Sequence, residues 1–234
     1  MSELVVKTVE ELKGTPEEYR EALAKLVVSH AINELYGAQV FDEPAIALAP
    51  TPYAKWLTCR VAMEEYGHHV RFKQLGQQMG IPEARMTPGA GKKPLSIFEF
   101  PLKSWEEFVA IKLLADLAEI LQVEDLLHCT FHPLRNLARA TMPEERFHAQ
   151  FGEDFSAELV KTPQGKVRLQ AAVNAYWPYL PKFFGASKSK NNEIFRKWKI
   201  KQRTNDEMRE DFIKRATEVA AKYGLTLPRT AAAA

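Results

Sequence analysis

Two Glu-x-x-His pairs, Glu65/His68 and Glu145/His148, constrain what this chain can fold into more than any other feature. Residues three apart on an α-helix lie about 60° apart around the axis and roughly 4.5 Å apart along it. Each pair therefore aims a carboxylate and an imidazole at one spot. An acid in helical surroundings precedes each pair: Glu34 before the first, and Asp116 or Glu119 before the second. Two such pairs, plus one carboxylate from each of two further helices, make the ligand set of a di-metal carboxylate site inside a four-helix bundle.

The residue types follow from the chemistry. Adjacent divalent cations repel each other, carboxylates offset that repulsion, and imidazoles add directional nitrogen donors. Such a set suits iron or manganese. The chain has only Cys59 and Cys129, far apart, which argues against a thiolate zinc site or a disulfide framework and suits a reducing cytoplasm. One Glu-x-x-His match alone is weak, and Asp125-x-x-His128 is a decoy of that kind. Two matches in separate helices, each after an acid-bearing helix, are far more specific. Glu64 and Glu144 each precede a candidate ligand and point about 100° away, which reads as solvent-facing. His69 reads as supporting or exposed. His30, one turn before Glu34, reads as a core or supporting histidine.

The rest of the chain predicts an all-α single domain over residues 1–230. Helical patterning covers about Pro16 to Tyr36, Pro52 to Met79, Ser104 to Phe131 and Leu134 to Val160, with three further helices between Pro163 and Pro228. Three prolines between Asp42 and Pro52 break the first helix. Ser104 with Glu107 and Thr204 with Glu207 fit capping boxes, and Gly224 and Pro228 close the last helix. Gly80 to Lys103, with Pro88-Gly89-Ala90-Gly91 and then Phe98-Glu99-Phe100, reads equally as a lid or partner surface and as a plain crossover. Ala231 to Ala234 reads as a frayed tail. A net charge of +2 gives no global reason to expect nucleic acid or a membrane surface. No apolar run approaches the roughly 18 residues of a membrane span, and the start lacks a signal-peptide layout. The expectation is a cytoplasmic protein.

At these residues the chain resembles the catalytic subunits of the ring-1,2-phenylacetyl-CoA epoxidase family, which are ferritin-like di-iron bundles with additional C-terminal helices. The likeness rests on Asn33-Glu34-Leu35-Tyr36-Gly37, Glu64-Glu65-Tyr66-Gly67-His68, Leu114-Ala115-Asp116 and Glu144-Glu145-Arg146-Phe147-His148. It extends to Trp177-Pro178, Phe184-Gly185, Trp198-Lys199-Ile200-Lys201, Asn205-Asp206-Glu207 and Gly224-Leu225-Thr226-Leu227-Pro228, which a generic ferritin pattern does not require. The resemblance places the acid of the third helix on Asp116. It implies a site of Glu34, Glu65, His68, Asp116, Glu145 and His148, catalytic and metal-binding together, holding two iron ions. It further implies an aromatic acyl-CoA substrate epoxidised with dioxygen, a flavin and iron–sulfur reductase, and a metal-free paralogous subunit in a hetero- or homo-oligomer.

Three departures from the family stand out. The chain begins close to its first helix, Pro143 sits two residues before Glu145, and Glu119 adds a charge where relatives have a small residue. Pro143 is expected to kink or restart its helix. The stretch from Lys182 to Arg203 is basic with interleaved aromatics, and reads either as a surface for CoA phosphates or a partner, or as a solvated amphipathic helix. Two alternatives share the bundle: a ferroxidase or iron-binding protein, and a non-catalytic scaffold paralogue. The roughly 70 residues beyond the fourth helix weigh against the first, and the six filled ligand positions weigh against the second.

Overall fold

A computed structural model describes residues 4–89 and 96–229. The main helices are α1 (Glu17–Gly37), α2 (Glu43–Leu48), α3 (Pro52–Gln78), α4 (Trp105–Leu126), α5 (His132–Leu159), α6 (Pro163–Tyr176), α7 (Lys190–Lys197) and α8 (Asn205–Lys222). Among the described residues the one β pairing is an isolated parallel bridge between Val6 and Phe131. The all-α expectation holds.

Local chemistry sets the helix starts. Thr51, Ser104, Thr162 and Ser189 each accept a backbone N–H from three residues on, which satisfies an amide that the helix leaves unpaired. Thr204 and Glu207 form the predicted capping box. The other predicted box is only half formed: Glu107 caps onto the Ser104 hydroxyl, but its own carboxylate accepts from Lys103 N. Gly224, at φ 64°, turns the chain after α8 so that Leu225 N–H reaches the Ala220 carbonyl.

Two boundaries differ from expectation. The first helix does not stop near Tyr36. It passes into a π-helical turn, Ala38–Asp42, and then α2, and this turn carries Asp42 inward. The third helix ends at Leu126, not Phe131, because residues 129–131 leave it to pair with Val6, and Pro133 favours an extended residue before α5. Asp125 of the decoy is buried there and accepts Gln202 N and the Arg203 backbone and guanidinium, so it anchors the C-terminal segment. Pro143 sits on the exposed face of α5, which stays continuous through it.

The bundle pairs α1 with α3 and α4 with α5. α4 is buried around nearly its whole circumference, with Phe108, Val109, Ile111, Leu113 and Leu114 all inside. The C-terminal helices cover its far side through Trp177, Phe184 and Phe212. The crossover before α4 packs by Phe98 against Tyr36 and Phe41. Ala90 and Gly91 of its glycine-rich part, and Ala231 to Ala234, lie outside the described residues. No helix among those described is long and apolar enough to cross a membrane.

α4 and α5 touch closely at Gly152, where an added Cβ would lie 2.3 Å from Leu113 N and 2.4 Å from the Lys112 carbonyl carbon. Gly152→Ala gains about 1 kcal/mol of helix propensity but must push two packed backbones apart. The clash wins, and we expect a net loss of about 1–3 kcal/mol in urea unfolding. An unchanged or raised midpoint would show that the helices separate at little cost.

Candidate metal centre

All six sequence-predicted residues are buried, and they come from α1, α3, α4 and α5. The core of the arrangement is symmetric. Glu145 Oε1 lies 3.1 Å from His68 Nδ1 and its Oε2 lies 3.9 Å from His148 Nδ1. Glu65 answers with Oε1 3.1 Å from His148 Nδ1 and Oε2 3.5 Å from His68 Nδ1. Each of these carboxylates thus faces both imidazoles, as a bridging ligand must. Glu34 Oε2 lies 3.6 Å from His68 Nδ1. Two overlapping groups of ligand atoms result, Glu34–His68–Glu145 and Glu65–Glu145–His148.

The imidazoles are braced from behind by residues that read as solvent-facing in the sequence. Glu144 Oε2 lies 2.8 Å from His68 Nε2, and Glu64 Oε2 lies 2.9 Å from His148 Nε2. The bracing is crossed, so the glutamate of each helix holds the histidine of the other. A carboxylate can only accept, so each Nε2 donates and each Nδ1 is left facing inward. Arg60 and Arg71 in turn hold Glu64 and Glu144. The 100° offset was right about their own helix, but α5 stands where α3 turns Glu64, and the reverse.

Asp116 departs from this symmetry. It belongs to neither group, and its Oδ1 lies 3.5 Å from the Lys112 ammonium. Lys112 is buried and also reaches Glu65 Oε1 at 2.7 Å and Asp42 Oδ1 at 2.8 Å. Glu119, half-buried, lies instead with His30 and Glu34. His69 is buried and bonds to the Ala31 carbonyl at 2.6 Å. The basic C-terminal stretch is part solvated and part engaged: Lys182, Lys188, Lys190 and Arg196 are exposed, while Lys197 pairs with Glu18, Lys201 with Gln122, and Arg203 with Asp125 and Asp211.

The donor set fits a pair of cations. Nδ1 of His68 and of His148, both oxygens of Glu145 and Oδ2 of Asp116 are buried without a hydrogen bond, which is costly unless something else occupies the space between them. Against known proteins, residues 1–234 match the family model described as phenylacetic acid catabolic protein. The chain belongs to that family. It is also 28% identical to one of the subunits of the 1,2-phenylacetyl-CoA epoxidase of Escherichia coli (strain K12), over 220 residues that cover 91% of this chain and 71% of the relative.

The electrostatics of this family member follow from packing many acids into a dry interior. Burial works against the charge on Lys112, but Asp116, Asp42 and Glu65 outweigh it and hold the ammonium well above the usual lysine range. Burial lifts Asp42 to about 6 and Asp116 well above an ordinary aspartate, in both cases against the pull of Lys112. Glu65 goes the other way: burial is outweighed by Lys112 and His148, and the carboxylate is held well below the usual range. Glu144 falls to about 2, where His68 and Arg71 overcome partial burial. His68 is raised because Glu145, Glu144 and Glu34 outweigh burial. Lys112, Asp42 and the two bracing glutamates were missed in the sequence. Lys112 did carry a signal, since a lone cation in a helix apolar on every side has nowhere to go but inward.

In metal-stripped protein His148 should titrate near the raised value of about 10 rather than 6.5, because Glu65 and Glu64 outweigh its burial. Its folded pKa is raised, so its stabilising contribution is complete below the unfolded value and is lost as pH rises through about 10. NMR of the ¹⁵N-labelled imidazole reads this directly. A midpoint at or below about 6.5 would contradict the carboxylate cage.

Proposed function

We propose that this chain is the catalytic subunit of a di-iron oxygenase that epoxidises the aromatic ring of phenylacetyl-CoA or a related aromatic acyl-CoA. The observation that carries this is the pair of inward-facing Nδ1 atoms and the doubly facing carboxylates Glu65 and Glu145, in a chain of this family. Glu34, His68 and Glu145 would hold one ion. Glu65, Glu145 and His148 would hold the other, with Asp116 joining them. Bound there, iron supplies the redox chemistry that activates dioxygen. One oxygen atom ends on the ring and the other leaves as water, with the electron pair drawn from a separate reductase. A metal-free paralogous subunit completes the complex.

The protein's own residues contribute exclusion of water, orientation and charge balance. His68, Glu145 and His148 are essentially inaccessible, which suits chemistry that must not leak to solvent. Glu64 and Glu144 fix the imidazole planes and raise their basicity. Lys112 offsets part of the carboxylate charge. That same lysine favours a second reading, the scaffold paralogue, because it already pairs with Glu65, Asp42 and Asp116 and offsets part of their charge without any metal.

Metal content with NADH-dependent oxygen uptake on adding phenylacetyl-CoA separates the readings. Substrate-coupled uptake by an iron-loaded chain with its reductase supports the oxygenase, and a chain that takes up no iron supports the scaffold. Glu65→Ala and His148→Ala should each abolish turnover and lower bound iron while circular dichroism stays near wild type. Full iron in both variants would refute the ligand assignment. Glu144→Gln keeps the shape but weakens the brace, so iron affinity should fall roughly 10- to 100-fold. An unchanged affinity would reduce Glu144 to a surface ion pair with Arg71.

A further inference from the structure

A third gathering of ligand types lies beside the proposed pair. His30, Glu34 and Glu119 bring ligand atoms within 4.8 Å of one another. His30 and Glu34 are one turn apart on α1 and share a face, and Glu119 meets them from α4. His30 is more than nine-tenths buried, and its ring is fixed by stacking on Phe72 with centroids 4.7 Å apart and planes at 9°. Its Nδ1 stands 3.7 Å from Glu34 Oε1, longer than an ordinary hydrogen bond, and Glu34 is the polar side chain it pairs with among the described residues. The Glu119 carboxylate has no hydrogen bond or ion pair among them. Lys201 lines the same space; its ammonium donates to Gln122, and its positive charge acts on both Asp125 and Glu119.

We propose that His30, Glu34 and Glu119 form a third cation position that takes a divalent transition metal such as Fe²⁺ or Mn²⁺. Two carboxylates and one neutral imidazole balance the ion's charge, and oxygen with nitrogen donors and no thiolate suit those metals. Three protein ligands leave coordination positions open, and a cavity of about 260 Å³ reaches both His30 and Glu119, so water and incoming metal have a route. Glu34 links this position to the pair. Its Oε1 faces His30 while its Oε2 faces His68, so one carboxylate stands between the outer ion and the inner site. The position stands on its own donors, although it shares Glu34 with the proposed pair.

The test is an anaerobic Co²⁺ titration of the full chain, read by visible absorption and by metal analysis after equilibrium dialysis. Wild type should bind two equivalents tightly and a third more weakly. Glu119→Gln should weaken the third by at least roughly 100-fold, beyond what loss of a supporting residue costs, and leave the other two. Glu65→Ala should do the reverse, removing tight binding and keeping the Glu119-dependent equivalent. If wild type shows only one equivalent and it depends on Glu119, the di-metal reading fails and this site stands. Absence of any Glu119-dependent equivalent in wild type, or a third equivalent that survives Glu119→Gln, overturns the proposal. Should Glu119→Gln lose its fold by circular dichroism, His30→Gln carries the same test with the same outcomes.

Discussion

Two carboxylates that each face two imidazoles hold this molecule's central problem. Glu65 and Glu145 bring negative charge into a space with almost no water, and Glu34, Asp116 and Asp42 add more. Carboxylates do not stay ionised there unless cations accompany them. The fold supplies Lys112 and two raised imidazoles but leaves buried polar atoms without hydrogen bonds. Those of His68, Glu145 and His148 belong to clusters that could hold a metal ion.

The bundle is arranged to keep that charge in place. α4 carries Lys112 and Asp116 at its middle and is sealed by α5 on one side and by the C-terminal helices on the other. Gly152 lets the α5 backbone press onto the α4 backbone at Lys112 and Leu113. The π turn after α1 brings in Asp42. An extra residue in that turn rotates Asp42 into the core, where it meets the same ammonium.

Much of this was legible in the sequence because it depends on a single helix. The i, i+3 spacing of Glu65/His68 and Glu145/His148, the caps at Ser104 and Thr204, and the all-helical patterning are local, and the structure keeps them. What was not legible depends on two helices meeting. Glu64 points away from its own neighbour Glu65, yet it points at His148, and only the packing of α3 on α5 reveals that. The same holds for Glu144 and His68. The π turn was hidden for another reason: the prolines after Asp42 look like a helix break, and nothing in the spacing shows that the chain first winds one residue wider. The basic run near the C-terminus divides in a way composition does not show: Lys182, Lys188, Lys190 and Arg196 are exposed, while Lys197, Lys201 and Arg203 reach partners on α1 and α4.

Asp116 and Glu119, one turn apart on α4, show how charge placement differentiates the two ends of the site. At the His148 end a fixed ammonium already sits among Glu65, Asp116 and Asp42. At the His68 end Glu119 adds a further carboxylate whose ionisation is resisted by burial and by Glu34, Glu145, Glu65 and Asp116 around it, and the cation that acts on it is Lys201, from the cavity lining. A cation at the other end has to share its carboxylates with Lys112. Ligand residues that look equivalent in the sequence, an acid-bearing helix followed by Glu-x-x-His in each half, are made unequal by one lysine and one glutamate that belong to neither motif.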